Sequence, residues 1–72
     1  MSESSSITIE VNGEAVTTTR QTRIPDLLRE IGMNPDRVVV EWNGKAQTRE
    51  ESARTALADG DRLEVVRLVA GG

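Results

Sequence analysis

The sequence predicts an α+β domain: a mixed sheet of four to five strands with one main helix lying across one face. Three observations predict it. Two Asn-Gly pairs, Asn12-Gly13 and Asn43-Gly44, each follow a run of strand-forming residues. One main segment between them carries a helical period. The chain then closes on a further alternating run at 63–68.

The first strand is Ile7-Thr8-Ile9-Glu10-Val11, in which apolar and polar residues alternate. That period buries one face and wets the other. Asn12-Gly13 follows, and both residues tolerate positive φ, which a two-residue hairpin needs. Glu14-Ala15-Val16-Thr17-Thr18 is the returning strand. Ile24, Leu27, Leu28 and Ile31 then fall on one face of a helix of eight to ten residues. Thr22 is the expected N-cap, and Pro25 fits only the first turn, where its missing N–H costs nothing. Asp26 suits the positive end of the helix dipole. Gly32 suits a left-handed stop, and Pro35 prevents continuation.

Arg37-Val38-Val39-Val40-Glu41-Trp42 is the third strand, and its β-branched run suits a position with neighbours on both sides. Asn43-Gly44 turns the chain into a short strand near Lys45-Ala46-Gln47-Thr48. Residues 50–57 are mixed and read as a loop with a helical turn. Ala58-Asp59-Gly60-Asp61 is a turn, with Gly60 at positive φ. Leu63-Glu64-Val65-Val66-Arg67-Leu68 is the last strand, so the order is β-β-α-β-β-β.

Composition excludes several functions. A chain of 72 residues is one small domain, and such a domain buries only about 60% of its unfolded surface. It has no room for a core and a deep catalytic pocket. It has no cysteine and no histidine. Thiolate chemistry, disulfides and the usual neutral-pH base are therefore absent. Trp42 is the only aromatic residue, which argues against a base-stacking platform. Net charge is −3 and the basic residues are scattered, so nucleic acid is not an expected partner. No apolar run is long enough to cross a bilayer. The polar, acidic start (Met1-Ser2-Glu3-Ser4-Ser5-Ser6) lacks the features of a signal peptide. The expected location is cytoplasmic, with residues 1–6 disordered, a folded domain at 7–68 and a flexible tail at 69–72.

That tail, Val69-Ala70-Gly71-Gly72, is the most telling feature of the chain. Glycine orders at the greatest entropic cost and packs nothing. Gly-Gly is a poor end for a fold and a good way to present a carboxylate through a narrow slot. Four extended residues reach roughly 13 Å.

The Asn-Gly hairpin, the single amphipathic helix, the run 38–44, the segment Asp59-Gly60-Asp61-Arg62-Leu63-Glu64-Val65-Val66 and the closing Gly71-Gly72 together resemble the β-grasp, ubiquitin-like sulfur carriers of the ThiS/MoaD family. The resemblance covers residues 7–72 and is nearest to the ThiS branch, which serves thiamin thiazole synthesis. MoaD-type carriers share the fold and the ending but are usually longer and richer in aromatics. Ubiquitin and Urm-type modifiers share the plan more distantly.

The resemblance implies a carrier with no catalytic activity and no bound cofactor, monomeric when free. A ubiquitin-activating-like adenylyltransferase of ThiF type would use ATP to adenylate the Gly72 carboxylate. A persulfide donor would convert it to a thiocarboxylate. A thiazole synthase of ThiG type would take the sulfur, with Val69, Ala70 and Gly71 threading the partner's active site. The alternatives are a MoaD-like carrier for molybdopterin, a carrier for tRNA thiolation, or a modifier joined to lysines. A plain interaction domain is the blandest reading.

Strand alternation adds a docking surface. With Leu63, Val65, Val38, Val40 and Trp42 facing the helix, Val39, Val66 and Leu68 face away. In β-grasp folds the third and last strands are neighbours, so these three would form an apolar strip beside the tail root. Exposed apolar residues are common on any surface, and that is the plainer alternative. Trp42 is expected to cover the core edge rather than serve as a partner hot spot. Asp59, Asp61 and Glu64 are expected to serve turn chemistry and a wet strand face rather than a metal. Glu50 and Glu51 are expected to be exposed charge.

Overall fold

The computed structural model describes residues 5–69. Five strands form one sheet: β1 (Ser6–Val11), β2 (Glu14–Thr19), β3 (Val38–Trp42), β4 (Lys45–Gln47) and β5 (Arg62–Arg67). Their spatial order is β2-β1-β5-β3-β4. β1 and β5 run parallel, and the other neighbours are antiparallel. The last strand in sequence is thus the middle strand in space. The third strand has neighbours on both sides, as its β-branched run predicts.

Helix α1 (Ile24–Glu30) crosses one face of this sheet and buries Ile24, Leu27 and Leu28. They meet Ile7, Ile9 and Val11 from β1, Val40 from β3, and Leu63 and Val65 from β5. Val38 and Trp42 pack half-buried at the edge of the same core. Both Asn-Gly turns have the predicted hand, with φ of 51° and 86° at Asn12-Gly13 and 50° and 86° at Asn43-Gly44. These are the two positive-φ residues of the turn that matches strand twist.

The helix is seven residues long, slightly shorter than its apolar spacing predicts. Its C-terminus closes as expected: Gly32 has φ of 85°, its N–H bonds the Arg29 carbonyl, and the Met33 N–H bonds the Leu28 carbonyl. Its N-terminus differs from the sequence reading. Arg23, not Thr22, is the N-cap residue, and its side chain does not cap the helix. The Thr22 hydroxyl is taken by Thr18 and Thr19 at 3.3 and 2.8 Å, while Thr18 also donates to Glu30 at 3.0 Å. A hydroxyl committed to β2 cannot also reach the helix N–H groups. The Ile24 N–H instead bonds the Thr55 carbonyl.

Three other boundaries move. Ser6 belongs to β1 opposite Thr19, and the Ser5 carbonyl accepts from Arg20 N–H, so the front of the fold starts before Ile7. Residues 1–4 lie outside the described residues. Residues 35–37 form a 3₁₀ turn, so β3 begins at Val38. The segment read as a loop with a helical turn holds a second helix, α2 (Arg49–Arg54), opened by a full capping box. Thr48 Oγ1 accepts from Glu51 N–H at 3.0 Å, and Glu51 Oε1 accepts from Thr48 N–H at 2.9 Å.

Candidate functional site

The candidate site is the outer face of β3 and β5, together with the point where the chain leaves β5. Val39 and Val66 are direct cross-strand partners. Leu68 continues the ladder one residue past β5, donating its N–H to the Arg37 carbonyl at 2.8 Å. Val39, Val66, Leu68 and Val69 are 47, 62, 55 and 89% exposed. Val65 is 7% exposed on the opposite face. The alternation therefore falls as the sequence predicts. The strip exists, and it borders the tail root. Ala70, Gly71 and Gly72 lie outside the described residues, and so does the expectation that they form a flexible tail.

Two asparagines hold β5 in this place, a role beyond the turns that their Asn-Gly pairs predict. On one side, the Asn12 side-chain amide grips the backbone of Val65 at both polar groups: its Nδ2 donates to the Val65 carbonyl at 3.1 Å, and its Oδ1 accepts from Val65 N–H at 2.7 Å. On the other side, Asn43 Oδ1 accepts from Arg62 N–H at 2.9 Å. The signal was in the sequence, because Asn in a tight turn has a free amide with both a donor and an acceptor. Its target could not be read locally.

Asp61 completes the clamp. Its carboxylate accepts from Trp42 Nε1 at 3.0 Å, Ala58 N–H at 2.8 Å and Asn43 Nδ2 at 3.1 Å. Burial pushes this carboxyl up, but the bonds from Trp42, Ala58 and Asn43 prevail and hold it below the ordinary carboxylate value. The turn reading of Asp61 and the core-edge reading of Trp42 are both met in one contact. Asp59 likewise serves the turn, accepting from Thr8 N–H at 2.8 Å.

This contact sets a testable pH dependence. A depressed folded-state pKa adds stability that is present above the unfolded value, near 3.9, and is lost as pH falls through the folded value. Asp61→Asn keeps the shape but sets an amide donor against Asn43 Nδ2. It is expected to cost about 1–2 kcal/mol at neutral pH. Thermal unfolding followed from pH 6 to pH 2 should show a smaller acid-induced drop for the variant than for the wild type.

The strip of Val39, Val66 and Leu68 is apolar, and among the described residues no group of three or more acidic side chains could hold a metal ion. A hollow of about 310 Å³ lined by Pro25, Leu28, Val38, Val40 and Ala53 lies on the helix side, away from the strip.

Comparison with known proteins decides the family. The family model described as the ThiS family matches residues 9–72. The chain belongs to the ThiS family. A crystal structure of the thiamine biosynthesis protein ThiS from Geobacter metallireducens superposes with a TM-score of 0.76 at 29% identity, covering 92% of this chain and all of that one. A designed protein based on human erythrocytic ubiquitin superposes with a TM-score of 0.56 at 21% identity, which speaks to the ubiquitin-like β-grasp fold alone. Among curated relatives, the uncharacterised protein ycf40 of Pyropia yezoensis is 35% identical over 68 residues, 94% of this chain and 96% of that protein. A thiazole synthase from Paramagnetospirillum magneticum is 34% identical over 62 residues, and the chain spans only 19% of its length. No helix among the described residues is long and apolar enough to cross a membrane.

Proposed function

We propose that this chain, a ThiS-family carrier of thiamin biosynthesis, transports sulfur on its C-terminal carboxylate. The observation that carries the reading is the family match, which runs through the last residue, Gly72. A carboxylate is a poor electrophile and needs activation before a nucleophile attacks. In the proposed cycle a ThiF-type adenylyltransferase binds the strip of Val39, Val66 and Leu68, and Val69, Ala70 and Gly71 thread its active site. The Gly72 carboxylate oxygen attacks the α-phosphorus of ATP, displaces pyrophosphate and forms an acyl adenylate. The terminal sulfur of a cysteine persulfide then attacks the acyl carbon and displaces AMP. A thiol cleaves the resulting acyl disulfide, leaving a thiocarboxylate on Gly72 and a disulfide on the donor side.

A ThiG-type thiazole synthase is the proposed acceptor. The thiazole synthase of Paramagnetospirillum magneticum supports this, because one segment of it resembles this chain. The chain itself needs no catalytic group in this scheme, which agrees with its lack of cysteine and histidine. The test is ATP–pyrophosphate exchange by a purified ThiF-type enzyme with and without the chain. The reading expects exchange that depends on the chain. A chain that binds the enzyme but supports no exchange would contradict it.

A further inference from the structure

The ladder between β3 and β5 stops at a defined place, and the 3₁₀ turn at Pro35–Arg37 stops it. In an antiparallel pair, bonded positions recur at every second residue and normally exchange two bonds. Arg37 and Leu68 hold the last such position among the described residues, and they share one bond. Leu68 N–H donates to the Arg37 carbonyl at 2.8 Å, but Arg37 N–H is turned into the 3₁₀ turn and donates to the Asn34 carbonyl at 2.9 Å. Two residues back on that side is Pro35, which has no N–H to give. The turn is itself held in place. Asn34 Oδ1 accepts from Asp36 N–H at 2.9 Å, and the Asp36 carboxylate pairs with Arg49 of α2. Met33 N–H, bonded to the Leu28 carbonyl at 2.7 Å, ties the entry of the turn to α1. Val69, the first residue past the ladder, is 89% exposed.

We infer that this turn sets the working length of the tail, with Asn34 as its positioning residue: it fastens Leu68, refuses further pairing, and leaves residues 69–72 to span the way to the partner's reacting group. The inference rests on the carrier reading above and adds what fixes the tail's reach. Four extended residues cover roughly 13 Å. One more residue paired to β3 would shorten that reach by about 3.3 Å, whereas reacting atoms must come within about 3–3.5 Å of each other. One residue fewer in the ladder would leave an extra link to be ordered each time the tail enters the slot. The strip docks the domain, and the turn decides where the tail begins.

The test uses the full chain and a purified ThiF-type enzyme. The double variant Asn34→Ala/Pro35→Gly removes the cap and the locked φ that hold the turn, and neither residue lies on the strip. Amide hydrogen exchange at Leu68 should quicken about tenfold relative to that at Val65. Pyrophosphate turnover at saturating chain should fall about tenfold, while affinity for the enzyme stays within about twofold of the wild type. Asn34→Asp keeps the acceptor oxygen and should match the wild type in all three. If the Leu68 amide does not quicken in the double variant, or if turnover holds, the inference is overturned while the carrier reading stands. If affinity and turnover fall together, the turn is a direct contact and not a positioning device, which also overturns it. A wild-type chain that binds the enzyme and supports no turnover overturns both.

Discussion

Val65→Asp should unfold the domain, whereas Val66→Asp, one residue on, should leave it folded. Val65 lies in the core against the helix side, and Val66 lies on the open face opposite Val39. A carboxylate at Val65 would sit in a cluster of apolar side chains at a position only 7% exposed. The cost of an unpaired charge in that place is about 4–5 kcal/mol. That equals much or all of the stability of a domain this size, which is about 4–11 kcal/mol. Asp at Val66 stays hydrated and forfeits only strand propensity, about 1 kcal/mol or less. The same change should disrupt partner binding, because in the complex the new charge is desolvated without a partner. Circular dichroism melts and partner affinity for both variants check this. A folded Val65→Asp beside an unfolded Val66→Asp would mean that the strand register is off by one.

The second large effect is expected at the other end of the chain. Deleting Gly72, or adding one alanine after it, should abolish ATP-dependent activation and leave the unfolding midpoint within about 1 °C. The core ends at Val65 and the ladder at Leu68, so no described contact depends on the last residue. Activation does depend on it in the proposed cycle. A nucleophile displaced by one residue, roughly 3.3 Å, misses in-line attack entirely. Melting curves and pyrophosphate exchange on the same preparations separate fold from function. Exchange that survives the deletion would remove Gly72 from the mechanism.

Much of this was legible in the residues, and what was not has identifiable causes. Strand period placed Val39, Val66 and Leu68 on the open face, because a period of two leaves no third option. The two Asn-Gly turns and Gly32 were legible because positive φ narrows the choice of residue. Helix α2 was hidden. Arg49-Glu50-Glu51-Ser52-Ala53-Arg54 has no apolar stripe, and Ser52 is its only buried residue. Hydrophobic periodicity cannot find such a helix, although the Thr48/Glu51 capping box announced it locally. Thr22 misled for the opposite reason. Its type and position suit a cap, but tertiary contacts with Thr18 and Thr19 claimed its hydroxyl first. The clamp of Asn12, Asn43 and Asp61 on β5 was the least legible. Asn12 and Val65 are 53 positions apart, and Trp42 and Asp61 are 19 apart, so only the assembled sheet brings them together.

The carrier account has one direct measurement. The full chain is incubated with ATP, a ThiF-type adenylyltransferase and a persulfide donor, and its intact mass is then taken. The account predicts a gain of about 16 Da, one oxygen exchanged for sulfur, and fragmentation should place that gain on Gly72. The gain should vanish on alkylation-sensitive transfer to a thiazole synthase. A modifier would instead appear as conjugates heavier by a whole partner protein, and a plain interaction domain would keep its mass. Either result, with the enzyme and donor shown to be active, would contradict the account.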